Sequence, residues 1–127
     1  MKYLLDTHTL IWFSEANPYL SERAKNIILG EDSECFVSNA TFWELAIKIS
    51  LGKLKLDIDL AYLENWVTEH EMTVLPTKFN HIVQLSRLEF HHRDPFDRTL
   101  IAQSLVENFI IITKETIFAD YGVQTIW

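Results

Sequence analysis

The chain contains few of the residues that build linkers, disulfide frameworks or phosphate-binding loops. Its 127 residues include three glycines, three prolines and one cysteine, so no linker or low-complexity segment is expected. Walker A and G-x-G-x-x-G loops are absent, as is a serine in a G-x-S-x-G elbow. The lone Cys35 lies in an apolar run, which indicates a buried thiol in a reducing compartment and neither a disulfide nor a zinc site.

Long apolar runs are missing as well. The longest one falls far short of the roughly 18 residues that a membrane-spanning helix needs. The N-terminus shows no basic region followed by a long apolar stretch and a small-residue cleavage site, so no signal peptide is evident. We therefore expect a cytoplasmic protein that has no membrane partner.

The chain does contain enough apolar residues for one core. Hydrophobic residues make up 48% of it and aromatic residues 13%, which excludes a disordered chain, and 127 residues make one domain. The net charge of −7 argues against a nucleic-acid partner. If metal neutralises five of the eighteen acids, thirteen remain against eleven Lys and Arg, a residual charge of −2. The composition then does not favour RNA, but it no longer excludes it.

Hydrophobic periodicity predicts strands that alternate with helices. Strand-like runs occur at residues 2–5, 34–38, 72–75, 109–113 and 123–126. Helical spacing of apolar residues occurs at about 10–13, 22–29, 41–50, 59–70, 78–89 and from Asp94 onward. Ser21 is placed to cap the second helix and Gly30 to end it, while Asp94-Pro95 opens the last helix in the favoured way. This alternation predicts an α/β fold with a mostly parallel sheet covered on both faces.

Five carboxylates stand where a strand ends or a helix begins: Asp6, Glu44, Asp94, Asp97 and Glu115. In a parallel sheet the carboxyl ends of the strands and the first turns of the following helices share one edge, where ligands bind. A cluster of carboxylates needs either raised pKa values or a bound divalent cation. Mg²⁺ and Mn²⁺ prefer oxygen ligands, activate water and offset charge on a phosphodiester. The pattern therefore favours a metal-dependent nuclease.

Each of these acids also has a purely structural interpretation. Asp6 could make an Asx turn, and the segment Thr41–Glu44 has the spacing of a capping box. Asp94 is a good N-cap, and Asp97 in the first turn favours the helix dipole. Glu115 could merely begin a surface helix. None of these interpretations explains why all five acids fall on the same expected edge of the sheet.

Several basic and histidine side chains neighbour the acids. His91 and His92 beside Asp94 could form a transition-metal site with mixed ligands, although paired loop histidines are more often solvated. His8 could contact a substrate or pack against a helix. The three remaining candidates either bind backbone phosphate or form ion pairs with the acids; they are Arg93, Arg98 and Lys114.

An ordered set of short motifs along the whole chain resembles the PIN-domain proteins, most closely the VapC-like toxins of type II toxin–antitoxin modules. The motifs are Leu4–His8, Val37-Ser38, Trp43–Lys48, Leu51–Leu54, His92–Arg98, Leu100–Gln103, Ile112–Glu115 and Tyr121–Val123. The resemblance implies a single PIN domain over residues 1–127, with a PIN-like three-layer α/β/α sandwich. It also implies an endoribonuclease that uses Mg²⁺ or Mn²⁺, forms a homodimer and is held inactive by a cognate antitoxin.

The resemblance can be carried over residue by residue. Asp6, Glu44 and Asp97 match the first three family acids, and Asp94 is commonly acidic in this subgroup. Glu115 departs from the pattern, since an aspartate usually occupies the fourth position; its longer side chain could still reach a second ion or bind it through water. Three residues match or lie close to positions with hydroxyl side chains that support the site: Thr7, Ser38 and Thr113.

The resemblance leads to one mechanism and two rival functions. Asp6, Glu44 and Asp97 hold one metal directly or through waters, while Asp94 and Glu115 adjust it or support a second. The metal orients a hydroxide for in-line attack on phosphorus. One rival is a catalytically inactive PIN-fold module that binds RNA or a partner. The other, a phosphatase, ranks low because the segment 6–8 lacks the second aspartate of haloacid-dehalogenase enzymes.

Large aromatic residues are numerous for so small a domain. Most are expected in the core, but some could form a groove for an antitoxin helix or a dimer face, because aromatic side chains are enriched at the centres of interfaces. The residues in question are Trp12, Phe13, Trp43, Tyr62 and Trp66.

Overall fold

The structure is a computed structural model that describes residues 1–127. Five strands alternate with six α-helices, and a short 3-10 helix precedes the last strand. In chain order these are β1 Lys2–Leu5, α1 Thr7–Ser14, α2 Glu22–Leu29, β2 Glu34–Ser38, α3 Asn39–Ser50, α4 Leu60–Glu69, β3 Thr73–Leu75, α5 Phe79–Arg87, α6 Pro95–Glu107, β4 Ile110–Ile112, the 3-10 helix Thr116–Tyr121, and β5 Thr125–Ile126. None of the helices combines the length and the apolar character that a membrane crossing requires.

The five strands form one sheet in the order β3-β2-β1-β4-β5. Every pairing is parallel, with Leu5 of β1 opposite Val37 of β2 on one side and Ile112 of β4 on the other. The chain moves outward from β1 through β2 and β3, and later returns to the other side of β1 as β4. This reversal creates a crevice at the carboxyl ends of β1 and β4, where open α/β sheets bind ligands.

Two hydrophobic cores lie on opposite faces of this sheet. Side chains alternate along a strand, so Tyr3 and Leu5 belong to one core and Leu4 belongs to the other. The first core is completed by α1 to α4, and the second by α6 and the 3-10 helix, through Leu100 and Phe118. The predicted three-layer α/β/α sandwich is confirmed.

The predicted elements are all present, but two helices begin earlier than their apolar spacing indicated. Helix α1 starts at Thr7 because Asp6 caps it, and α3 starts at Asn39 because Ser38 caps it. The capping box suggested for Thr41–Glu44 is therefore wrong, since Thr41 lies inside the helix. Elsewhere Ser21 caps α2, Gly30 ends it, and Asp94 caps α6 with Pro95 in the first turn, as predicted.

Candidate active site

Asp6 lies at the bottom of the crevice between β1 and β4. Its side chain is held on both oxygens: Oδ1 accepts a hydrogen bond from the backbone N–H of Thr9 at 2.8 Å, and Oδ2 accepts one from Thr113 Oγ1 at 2.5 Å. The residue is 3% exposed, and burial raises the pKa of its carboxyl even though these hydrogen bonds act in the opposite direction. No cationic side chain pairs with Asp6, so its carboxylate is buried without a counter-ion.

Glu44 comes to the same crevice from helix α3. Its Oε1 accepts a hydrogen bond from Thr7 Oγ1 at 2.6 Å, and its Oε2 forms an ion pair with Lys48 Nζ at 2.6 Å. The helix is set by Ser38, whose Oγ accepts from the backbone N–H of Ala40 at 3.1 Å. Thr7 therefore orients the acid directly, and Ser38 does so through the start of the helix.

Asp94 and Asp97 enter the site from the first turn of helix α6. Asp94 Oδ1 caps the helix by accepting from the backbone N–H groups of Phe96 and Asp97, at 2.9 and 3.0 Å. Partial burial, with the negative charges of Asp94, Asp6 and Glu44, raises the pKa of Asp97 to about 6, although the hydrogen bond from His92 acts in the opposite direction. Four of the five predicted acids therefore act on one another electrostatically within one site.

The donor set suits a hard divalent cation. No three His, Cys, Asp or Glu side chains lie close enough together to surround one ion by themselves. Mg²⁺ does not require such a cage, since it is usually bound by one or two carboxylates and keeps several waters. The buried and unpaired carboxylate of Asp6, with Asp97 and Glu44 nearby, provides oxygen ligands and an uncompensated negative charge. These residues fit the cation in chemistry and in charge.

Glu115 stands apart from the other acids. Its side chain is exposed and makes no hydrogen bond or ion pair, and only its backbone N–H reaches the site, by donating to Thr113 Oγ1 at 3.0 Å. The residue precedes the 3-10 helix without capping it through its side chain. Glu115 as a metal ligand stays a prediction that this geometry does not support.

Arg98 forms no ion pair with the carboxylates, so its geometry does not support the prediction that it binds substrate phosphate. The residue is 5% exposed, and its guanidinium donates to the carbonyl oxygens of Glu89 at 2.9 Å and Leu88 at 3.3 Å. It also donates to the Tyr121 hydroxyl at 3.0 Å and lies over the Phe90 ring. These hydrogen bonds tie the loop before α6 to Tyr121, which favours a structural role.

Arg93 and Lys114 remain exposed. Arg93 immediately precedes Asp94. Lys114 follows Thr113, and its Nζ lies 6.0 Å from the ring centroid of Trp12 and 5.7 Å from that of Tyr19. Neither side chain forms an ion pair with the acids.

The histidines do not form the mixed metal site with Asp94 that their spacing allowed. His92 Nε2 lies 3.1 Å from Oδ2 of Asp97, whereas His91 turns towards Glu89 at 4.0 Å. His8 is exposed and packs against the Trp12 ring, with 5.5 Å between the centroids.

Lys48 is the functional residue that the sequence reasoning missed. It lies four residues after Glu44 on one helix, and this spacing alone indicates an ion pair. Burial lowers the pKa of Lys48, but the hydrogen bond and charge of Glu44, with Asp94 and Asp97, outweigh that effect and raise it. Lys48 is therefore the cation that accompanies the acid cluster.

Replacing Lys48 with methionine is expected to lower the free energy of unfolding of the metal-free protein by about 1–2 kcal/mol. The Glu44 side chain is 4% exposed and would lose its counter-ion, but Lys48 is 39% exposed, so the cost stays below that of a fully buried pair. Urea denaturation measures the change, with Lys55→Met as an exposed control. Equal stability of Lys48→Met and the control would show that the pair contributes nothing.

Comparison with known proteins agrees with this architecture. A family model described as "PIN domain" matches residues 3–124. Among curated proteins no sequence matches significantly. VapBC2 from Rickettsia felis, solved bound to a DNA fragment from their promoter, has a TM-score of 0.75 and 15% identity, over 99% of this chain and 98% of that chain. FitAcB from Neisseria gonorrhoeae has a TM-score of 0.67 and 17% identity, over 98% and 96%. At these identities the likeness shows the fold.

Proposed function

Since this chain belongs to the PIN-domain family, we propose that residues 1–127 form one PIN domain that acts as a metal-dependent endoribonuclease, the toxin of a type II toxin–antitoxin module. The observation that carries this proposal is Asp6, a buried carboxylate with no counter-ion at the switch point of a parallel sheet. Asp6, Glu44 and Asp94 all lie close enough to Asp97 for their negative charges to raise its pKa. A divalent cation is the partner that such a cluster lacks.

Asp6, Glu44 and Asp97 would hold the cation, Mg²⁺ or Mn²⁺, directly or through waters. When bound, this ion lowers the pKa of a coordinated water and offsets the charge that builds on the phosphodiester. The chain's own contribution is orientation: Thr113 holds one oxygen of Asp6, and Thr7 holds one oxygen of Glu44. Asp94 adds negative charge beside Asp97 and fixes the start of the helix that carries it.

Arg93 and Lys114 would bind the phosphates that flank the scissile bond. Both are exposed, and each adjoins a residue of the site in sequence: Arg93 precedes Asp94, and Lys114 follows Thr113. When cationic side chains contact backbone phosphates, they hold a nucleic acid in position without recognising its base sequence. They also supply the local positive charge that the overall net charge of −7 does not.

The proposed function is tested by incubating the purified protein with a panel of single-stranded and structured RNAs. Reactions with Mg²⁺, with Mn²⁺ and with EDTA are compared on the same gels. We expect discrete products that appear only with a divalent cation. Cleavage that persists in EDTA would contradict the metal dependence.

The second candidate function is a PIN-fold module that binds RNA or a partner without cleaving. The position of Glu115 favours it, because the side chain at the fourth acidic position makes no contact with the other acids. Binding of RNA and of Mg²⁺ without any product across the whole panel would support this candidate over the nuclease.

We also propose a homodimer that uses the exposed apolar face of α3 and α5. A groove of about 690 Å³ lies between these helices and the start of α6. Its surroundings include Trp43 at 68% exposure, Ile82 at 49% and Phe90 at 74%, an unusual amount of exposed apolar surface. Ile82→Glu is expected to convert the dimer to a monomer in light scattering, with Leu29→Glu, at an exposed apolar residue of α2 outside the groove, as control. A wild-type monomer at micromolar concentration would contradict the proposal.

The cognate antitoxin is proposed to cover the acidic crevice. A basic side chain from that partner would complement Asp6 and Asp97, neither of which forms an ion pair with a lysine or arginine of this chain; Asp97 Oδ2 contacts the His92 ring. Such a residue would occupy the place of the divalent cation and so keep the enzyme inactive.

The pKa of Asp97 predicts that Mg²⁺ binds more tightly as the pH rises through about 6. Below that value a proton competes for the carboxylate, and the affinity for Mg²⁺ should fall by up to about tenfold per pH unit.

The stability of the metal-free protein is expected to change in the opposite direction with pH. Its folded state binds more protons than the unfolded state from the normal pKa of 3.8 up to about 6. The free energy of unfolding therefore decreases across that window.

Calorimetric titration of Mg²⁺ below and above this pKa measures the first effect, and urea denaturation without metal measures the second. Asp97→Asn is the matched control, because it removes the titrating group but keeps a polar side chain of the same shape. Equal affinities at both pH values in the wild type would contradict the prediction.

A further inference from the structure

We propose that Tyr121 and His92 are positioning residues for Asp97: the Tyr121 hydroxyl fixes the tautomer of His92, and His92 then holds the carboxylate in place. The inference rests on the proposed function, since it assigns Asp97 to the metal site. It adds two residues, Tyr121 from the C-terminal end of the chain and His92 from the loop before α6.

The Tyr121 hydroxyl lies among several N–H donors. The backbone N–H groups of His91 and His92 approach it at 3.2 Å each, and the Arg98 guanidinium approaches at 3.0 Å. A hydroxyl has two acceptor lone pairs and one proton. Three donors already share these two lone pairs, and none of the three can accept a hydrogen bond in return. The hydroxyl proton must therefore go to another atom.

Only two acceptors are within reach of that proton. His92 Nδ1 lies 2.8 Å from the Tyr121 oxygen, and the carbonyl oxygen of His92 lies at 3.3 Å. The shorter contact is with Nδ1. If Nδ1 carried a proton, the phenolic oxygen would face a fourth donor with no lone pair left to accept it. Nδ1 of His92 therefore accepts.

The tautomer of the neutral imidazole follows from this contact. With Nδ1 accepting, the ring proton is on Nε2, which faces Asp97 Oδ2 at 3.1 Å and donates to it. The hydrogen bonds then run in one direction, from Arg98 through Tyr121 and His92 to Asp97. The other oxygen of Asp97 is left for a cation or its water.

This network also explains why the histidines do not form a metal site. Both ring nitrogens of His92 are engaged, one by Tyr121 and one by Asp97. Residues that orient a metal ligand through hydrogen bonds strongly affect the affinity for the metal. Their mutation typically weakens metal binding by about 10–100-fold. His92 and Tyr121 act on the reaction through Asp97 and do not touch substrate in this arrangement.

The test compares three variants of the full chain. His92→Leu removes the donor to Asp97, and His92→Gln restores one, because its amide N–H can reach the place of Nε2. Tyr121→Phe keeps the ring but removes the hydroxyl that fixes the tautomer. Mg²⁺ affinity is measured by calorimetry, and the His92 tautomer by the ¹⁵N shifts of its imidazole. Urea denaturation identifies any variant that fails to fold.

We expect the wild-type imidazole to carry its proton on Nε2, and Tyr121→Phe to give a mixture of tautomers. His92→Leu should weaken Mg²⁺ binding by about 10–100-fold, and His92→Gln should recover most of that loss. If His92→Leu does not fold, the comparison of His92→Gln and Tyr121→Phe with wild type decides the question.

Three results would overturn the inference: a wild-type ring protonated on Nδ1, a tautomer unchanged in Tyr121→Phe, or a Gln variant that binds Mg²⁺ as weakly as the Leu variant. A wild-type protein that binds no Mg²⁺ would overturn the nuclease itself, and with it the role of Asp97. The imidazole spectrum would still decide whether the Tyr121–His92 network exists, so the two failures can be told apart.

Discussion

Replacing Asp6 with asparagine is expected to reduce metal-dependent RNA cleavage by more than about 100-fold, while leaving the free energy of unfolding unchanged or higher. The size of the loss follows from its position. Residues that only support a metal ligand cost about 10–100-fold when they are changed, and Asp6 is proposed as the ligand itself. A neutral amide keeps one oxygen but offers a cation much less charge.

The free energy of unfolding of Asp6→Asn should stay the same or rise, for a physical reason. Asparagine is as good an N-cap as aspartate, and its oxygen can still accept from the backbone N–H of Thr9. Burial raises the pKa of Asp6, which means that the folded protein holds this charge at a cost. Removing the charge removes that cost, so the variant loses activity without losing its fold.

Single-turnover cleavage and urea denaturation measure the two effects on the same preparation. Asp59→Asn is the matched control, because Asp59 caps helix α4 in the same way, by accepting from Ala61, but lies away from the crevice. Wild-type cleavage by Asp6→Asn would refute the assignment. If Asp6→Asn and Asp59→Asn lost activity equally, the loss would reflect a general effect of replacing a helix N-cap residue.

Replacing Arg98 with methionine is expected to lower the free energy of unfolding by about 3–4 kcal/mol. The buried guanidinium donates to two backbone carbonyls and to the Tyr121 hydroxyl. Hydrogen bonds to charged groups contribute about 1.5–3 kcal/mol each but do not add fully. The carbonyl oxygens of Leu88 and Glu89 would be left without this donor, while the Tyr121 hydroxyl would keep the backbone N–H groups of His91 and His92.

Arg93→Met is the contrasting variant, since Arg93 is exposed. Its stability should stay within about 0.5 kcal/mol of wild type. It should instead weaken RNA binding and reduce the dependence of that binding on salt, as expected for a lost phosphate contact. Denaturation of both variants and RNA titration at several salt concentrations test the pair. Both assignments would be contradicted by the reverse result, in which Arg93→Met lowers the free energy of unfolding and Arg98→Met weakens RNA binding without changing stability.

The sequence alone was sufficient to predict the helices and strands, and to predict the edge of the sheet at which the candidate active site lies. Helix starts such as Ser21 and Asp94-Pro95 are local signals, because a cap involves residues two or three positions apart. Alternation of strands and helices is also local, and it implies a parallel sheet whose carboxyl ends bring distant acids together. These inferences needed no knowledge of which strands are neighbours.

Only the tertiary structure decided which way the long side chains point and which partners they meet. Thr113 reaches Asp6 because β4 pairs with β1, although the two residues are 107 positions apart. Arg98 lies four residues after Asp94 and was expected at the site, yet its guanidinium donates to two backbone carbonyls of the loop before α6. Glu115 has the right place in the chain, but no neighbouring element directs its side chain inward.

The physical reason for this division is the range of the interactions. Capping and periodicity act over a few residues, so they can be read from the chain order. The direction of a flexible charged side chain depends on which buried donors and acceptors lie beside it, and those come from other segments. The contact of His92 with Asp97 depends in this way on Tyr121, 29 residues further along the chain.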